Sequence, residues 1–76
     1  MFSILDTKKR VIGAINKSIC AVEIDKKFYE FNLHDVKSFD WKPDNKLYLG
    51  FINKEIVLKG ISSAMANKIL LYMRTI

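Results

Sequence analysis

The side chains of this chain that titrate or attack near neutral pH are one thiol, Cys20, and one imidazole, His34. As a nucleophile and base they would need hydrogen-bond contact, with the thiol in a partly exposed, electropositive setting. Alternation of apolar residues instead sends Cys20 toward a core beside Leu33, where a thiol is an inert small hydrophobe, and leaves His34 at a turn. Structural zinc takes four ligands at characteristic spacings, and one Cys with one His does not found such a set. Asp35, Asp40 and Asp44 stand at or near turns, where carboxylates bond local backbone; paired acid-base work needs two in one cleft. None of the three glycines belongs to a phosphate-cradling loop. The expectation is a protein that is not an enzyme, with no catalytic residue, no metal and no cofactor.

Charge offers more. Thirteen Lys and Arg against eight Asp and Glu give a formal net charge of +5, which favours acidic partners: a protein surface, an anionic lipid face or nucleic acid. Basic residues concentrate at Lys8-Lys9-Arg10 and Lys26-Lys27, although Lys17, Lys42 and Lys46 spread over other loops, where lysine also serves solubility. Aromatics run beside the second group, in Lys26-Lys27-Phe28-Tyr29-Glu30-Phe31, as in some single-strand nucleic-acid binders. Strand alternation turns Tyr29 and Phe31 inward, so any stacking platform reduces to Phe28 and Tyr48.

The elements that must position these groups are short strands. Turn-like clusters at Asp6-Thr7-Lys8, Asn16-Lys17, Asp25-Lys26-Lys27, His34-Asp35, Lys42-Pro43-Asp44-Asn45 and Asn53-Lys54 separate β-branched and aromatic runs. A two-residue turn at Asn53-Lys54 sets Phe51 against Ile56 and Leu49 against Leu58, with Tyr48 and Lys59 on the other face. A loop from Lys42 to Lys46, with Pro43 at the second position of a type I turn, places Phe39 beside Leu49 and Trp41 beside Leu47. A turn at Lys26-Lys27 pairs Ile24 with Tyr29, Val22 with Phe31 and Cys20 with Leu33. A turn at Asn16-Lys17 pairs Val11 with Val22, brings Arg10 near Glu23 and Glu30, and leaves Ile12, Ala14, Ile19 and Ala21 outside. Residues 7 to 17 also fit a helix capped by Thr7, but Gly13 and the β-branched run favour a strand.

From Ile61 the period becomes helical: Met65, Ile69, Tyr72, Met73 and Ile76 form a stripe, Ser62 or Ser63 caps the start, and Gly60 permits the sharp entry. Leu71 lies off the stripe. Ile12, Ile19, Phe28 and Leu71 are thus the candidate protein contacts, and Ile12, Ile19 or Leu71 would serve a homodimer. Alternate loops of an antiparallel meander share one end, so Lys8 and Lys9 should approach Lys26 and Lys27. Their mutual repulsion would be relieved by an anionic ligand.

The 76 residues are enough for one domain, residues 1–76, with one core. A single cysteine makes no intramolecular disulfide, the start Met-Phe-Ser-Ile-Leu-Asp lacks signal-peptide character, and no apolar run approaches ~20 residues. A cytoplasmic location is expected, with peripheral attachment at the inner membrane face as the alternative. The fold class is mainly β, a β-rich α+β arrangement: a seven-strand antiparallel meander or partly open barrel capped by one C-terminal amphipathic helix.

That order resembles a minimal bacterial pleckstrin-homology-like (PH-like) domain. Phe31-Asn32-Leu33-His34-Asp35-Val36-Lys37-Ser38-Phe39 is similar to the strand-to-strand step of such domains, and Ile56-Val57-Leu58-Lys59-Gly60-Ile61 to their final strand. The resemblance implies a non-catalytic interaction module, an accessory or immunity-type protein, and would bring Lys54 to the basic end. Phosphoinositide-binding members combine a basic residue in the first strand with a basic-x-Arg element after the first loop. Lys8-Lys9-Arg10 supplies the second, while residues 1–5 hold no Lys or Arg. The resemblance therefore points to a protein partner first, with anionic lipid, nucleic acid or a second copy as rivals, through Lys8, Lys9, Arg10, Lys26, Lys27 and Lys54.

Overall fold

A computed structural model describes every residue from 1 to 76. The β-branched and aromatic runs become seven strands in chain order: β1 (Phe2–Leu5), β2 (Val11–Asn16), β3 (Ile19–Ile24), β4 (Lys27–Asn32), β5 (Ser38–Lys42), β6 (Lys46–Gly50) and β7 (Glu55–Lys59). One helix, α1 (Ser63–Thr75), follows. The strands form a four-stranded antiparallel sheet, β1-β2-β3-β4, and a three-stranded one, β5-β6-β7. No ladder joins the two sheets, so the barrel is open rather than closed, as the residue pattern led one to expect. Between β4 and β5 a single 3-10 turn, Leu33–Asp35, buries Leu33 and exposes His34 and Asp35.

The inner faces and the helix share one core. Ile4, Ile15, Cys20, Val22 and Phe31 contribute from the larger sheet; Leu47, Leu49, Ile56 and Leu58 from the smaller; Ile61, Ala66 and Ile69 from the helical end. The Ser62 hydroxyl caps α1 by accepting from the Met65 N–H at 3.2 Å, and Gly60 supplies the left-handed turn before it with φ 70°. Met65, Tyr72 and Met73 pack on the core as the helical spacing requires, but Ile76, at the end of the stripe, is exposed. Trp41 donates its indole N–H to the Ile61 carbonyl at 2.7 Å, tying β5 to the start of the helix.

Pairing of β5 with β6 matches the sequence reading residue for residue, with Phe39 opposite Leu49 and Trp41 opposite Leu47. Pro43 fixes that turn and Asn45, at φ 63°, completes it in the left-handed region. In the other three hairpins the turn centre moves by one residue, which shifts every pair by two and leaves each side chain on the same face. Asp25 and Lys26, at φ 52° and 68°, form the two-residue β3–β4 turn, so Val22 faces Tyr29 and Cys20 faces Phe31. Both left-handed positions mark a type I′ turn, and Asp tolerates the first better than Lys would. The β2–β3 turn falls at Lys17-Ser18, with Gly13 opposite Val22. Four residues, Phe51 to Lys54, connect β6 to β7, so Tyr48 faces Asp40 and Val57 rather than Lys59.

Residues 7–17 are not a helix: a loop runs to Arg10 and β2 follows. Within β2 a bulge corrects one expectation. Ile4 pairs with Gly13 but Leu5 with Val11, so Ile12 is the extra residue and packs against the core, while Val11 emerges on the outer face, 64% exposed.

Candidate functional site

The first loop is built around a carboxylate. One oxygen of Asp6 accepts the backbone N–H groups of Lys8 and Arg10, each at 2.9 Å; the other accepts the Arg10 guanidinium Nε–H at 2.9 Å. The side chain of Asp6 is nearly buried, at 6% exposure. The Arg10 N–H, foremost, then the guanidinium and the Lys8 N–H hold its carboxyl below the usual range, against the opposing effect of burial. The Thr7 N–H donates to the Gly60 carbonyl at 2.9 Å and pins the loop beside the entry to α1. This arrangement presents Lys8 and Lys9 outward but commits Arg10 to Asp6 instead of to Glu23 and Glu30.

The basic end is correspondingly smaller than the sequence implies. The first loop and the β3–β4 turn do meet: Arg10, Asp25 and Lys59 line one cavity of about 150 Å³. Lys9, however, borders a separate depression with Lys68 at the start of α1. Lys54 is not at this end. Its ammonium lies 5.3 Å from the Phe51 ring, and with Asp35 and Phe51 it borders a groove shared by Ile19 and Glu30, at the opposite end of the sheet. The sixth loop of a meander belongs at that opposite end by strand alternation, and the fold resemblance that placed Lys54 elsewhere misled. Lys42 and Lys46 are paired with Asp40 at 2.8 Å and Asp44 at 3.5 Å; Lys8, Lys9, Lys26 and Lys27 have no carboxylate within ion-pair distance.

The outer face of the four-stranded sheet is the second candidate. Ser3, Ala14, Ala21 and Glu30 pair successively across the sheet and form a floor of small residues for most of its width. Ile19 rises on one side, 39% exposed, and Phe28 on the other, 78% exposed. A shallow groove of about 570 Å³ runs over the floor between Met1 and Ile19. Of the residues expected to contact protein, Ile19 and Phe28 lie on this face, Leu71 is exposed on α1, and Ile12 is withdrawn into the packing.

Tyr29 corrects a further expectation. It shares the face of Val22 and Phe31 yet remains 42% exposed and does not join the side chains packed on the core, although Ile24, nearer the turn, does. Val11 was missed, since a bulge leaves no signature in alternation. Cys20 is buried and its thiol is pushed up to about 12 by loss of solvation, so no thiolate is available near neutral pH. His34 is exposed in the 3-10 turn, apart from the thiol, and its backbone N–H serves the Asn32 side chain at 2.9 Å. No three His, Cys, Asp or Glu residues gather into a set that could hold a metal ion. No helix is long and apolar enough to cross a membrane.

Comparison of the chain with family models, with curated proteins and with solved structures found no significant match in any of the three.

Proposed function

We propose that this chain is a non-catalytic interaction module of PH-like architecture, an accessory or immunity-type protein that receives an acidic partner protein. The partner lies across the outer face of the β1–β4 sheet, with Lys8, Lys9, Lys26 and Lys27 meeting its carboxylates at the rim. One observation carries this reading: apolar groups that a small domain has every reason to bury, Ile19 and Phe28, stand exposed on either side of the Ser3-Ala14-Ala21 floor. Lys8, Lys9, Lys26 and Lys27, like every lysine except Lys42 and Lys46, have no carboxylate within ion-pair distance and add a charge preference. An Ala21→Gln substitution raises the floor without entering the core, and Phe28→Ser removes the aromatic wall.

The test is affinity capture from the native host with quantitative mass spectrometry, using the original chain, Ala21→Gln, Phe28→Ser and a Lys8/Lys9/Lys26/Lys27→Glu variant. A partner recovered by the original chain and lost by all three variants supports the reading. Equal recovery by all four proteins removes it. The free lysines also favour a second reading, an anionic membrane surface or nucleic acid. Flotation with anionic liposomes and salt titration of nucleic-acid binding decide that one, since counterion release makes such binding fall steeply with salt.

A further inference from the structure

The end of the molecule away from Lys8 and Lys26 carries charges of both signs around two cavities. β4 pairs only with β3, and its last residues, Glu30 to Asn32, border a cavity of about 340 Å³ together with Asp35, Phe51 and Lys54. A second cavity, of about 350 Å³, shares Asp35, Phe51 and Lys54 with the first and adds Lys37, Ile52 and Asn53. Both fall within the range of small-molecule sites.

The walls are anchored through the backbone. The Leu33 N–H donates to the Ser18 carbonyl at 2.7 Å and holds the 3-10 turn that carries Asp35. The Lys37 N–H donates to the Gly50 carbonyl at 2.7 Å, and the Phe51 N–H closes the β6–β7 loop onto the Lys54 carbonyl at 2.8 Å. The Phe51 ring stands edge-to-face against Phe31, with centroids 5.2 Å apart. Walls fixed in advance reduce the ordering cost of binding.

The charges are opposite and uncommitted. Asp35 and Lys54 line both cavities, yet neither has an ion-pair partner, and nor do Glu30 and Lys37. None of these four side chains makes a hydrogen bond within the chain. Glu30 belongs to one cavity alone and Lys37 to the other, so the groove is acidic beside β4 and basic at the approach to β5. Ile52 lines the basic cavity and is 86% exposed.

We infer that this groove binds a small zwitterion with an apolar body: an apolar amino acid, or a short peptide with both termini free. The ammonium lies between Glu30 and Asp35, and the carboxylate between Lys37 and Lys54, each gaining charge-assisted hydrogen bonds. Lys54, 5.3 Å from the Phe51 centroid, already supplies that ring with a cation, which leaves the ligand's ammonium to the carboxylates. The apolar body covers Ile52. A simple ion satisfies one end and leaves the other unpaired; a zwitterion satisfies both, and its neutrality makes it indifferent to the net charge of +5. The inference goes beyond the partner site on the outer face of the β1–β4 sheet, with which this groove shares only Ile19 and Glu30.

Proton–nitrogen correlation NMR on the intact chain, titrated to about 20 mM with leucine and with leucyl-leucine, tests it; an open groove implies a dissociation constant on the order of 1 mM. At least one of the two should shift the amides of Glu30, Asp35, Lys37 and Ile52 saturably, and which one does so distinguishes amino acid from peptide. The N-acetyl form of that ligand, without the ammonium, and its C-terminal amide, without the carboxylate, should each bind at least about tenfold more weakly. Lys37→Met should narrow the gap between the zwitterion and its amide, and Glu30→Gln the gap between the zwitterion and its N-acetyl form. No saturable shift with either zwitterion overturns the inference. So does a blocked form that binds as tightly as the zwitterion, or a gap that neither variant narrows. Phe28→Ser, which removes a wall of the partner site, should bind the zwitterion as the original chain does, so each reading can fail without the other.

Discussion

The β3–β4 and β5–β6 hairpins carry the same kind of sequence and end in opposite environments. Each bears aromatics at alternating positions, Tyr29 and Phe31 on β4 and Phe39 and Trp41 on β5. On β5 both rings pack against the core and the indole is bonded to the Ile61 carbonyl. On β4 only Phe31 is buried, and Tyr29 stands in solvent beside Phe28. The helix makes the difference at β5, which lies against α1, whereas Tyr29 joins none of the side chains packed on the core. Alternation assigns a side chain to a face, but burial needs a second layer over that face.

The contrast can be broken by substitution. Trp41→Ala should lower stability by about 3 kcal/mol, since it opens a space in the packing and strips the Ile61 carbonyl of its donor. Urea unfolding followed by far-ultraviolet circular dichroism measures this, and a loss below that of an ordinary surface change would mean that β5 is not held by α1. Trp41→Phe isolates the hydrogen bond and should cost about 1 kcal/mol.

Lys26→Gly should act in the other direction. The residue occupies a left-handed backbone position at φ 68°, where a Cβ is unfavourable, so glycine should stabilise the hairpin by about 0.5–1 kcal/mol. An unchanged or lowered midpoint would contradict the type I′ turn. Phe28→Ala, at a site 78% exposed, should change stability by no more than about 0.5 kcal/mol. A larger loss would place Phe28 in a packed environment and erase the contrast between the hairpins.

Acid provides a last and smaller test, at the first loop. The folded-state pKa of Asp6 is depressed, so its contribution is complete above the unfolded value of 3.8 and is lost as pH falls through the lower folded value. Thermal midpoints should therefore drop more steeply below pH 3.8 in the original chain than in Asp6→Asn, which has no proton to take up at that site. Parallel curves would show that the carboxylate does not organise the loop.

Much of the fold was legible before any coordinates. Strand count, the capped C-terminal helix, the β5–β6 register and the inward thiol all follow from local pattern, because alternation, Pro43 and the Ser62 cap act within a few residues of themselves. The candidate site was legible only in part. Phe28, Ile19, Lys8, Lys9, Lys26 and Lys27 are exposed, as alternation and the turns imply, but the commitment of Arg10 to Asp6 was missed, although Asp6-x-Lys8-x-Arg10 is a spacing at which a turn carboxylate can collect backbone donors. In the β3–β4 hairpin the turn centre erred by one residue because the preference of Asp25 over Lys27 for a left-handed position is a small local energy, easily overlooked against the louder lysine pair.

What the order of residues determined by itself was which side chains share a face, a property that survives a two-residue slip because strand side chains repeat with period two. What only the tertiary structure decided was which faces and edges acquire a cover. The bulge at Ile12, the separation of Lys54 from the other lysines and the bare edge of β4 all depend on how two sheets and one helix meet in space. Those contacts join residues far apart in the chain, and no local preference encodes them.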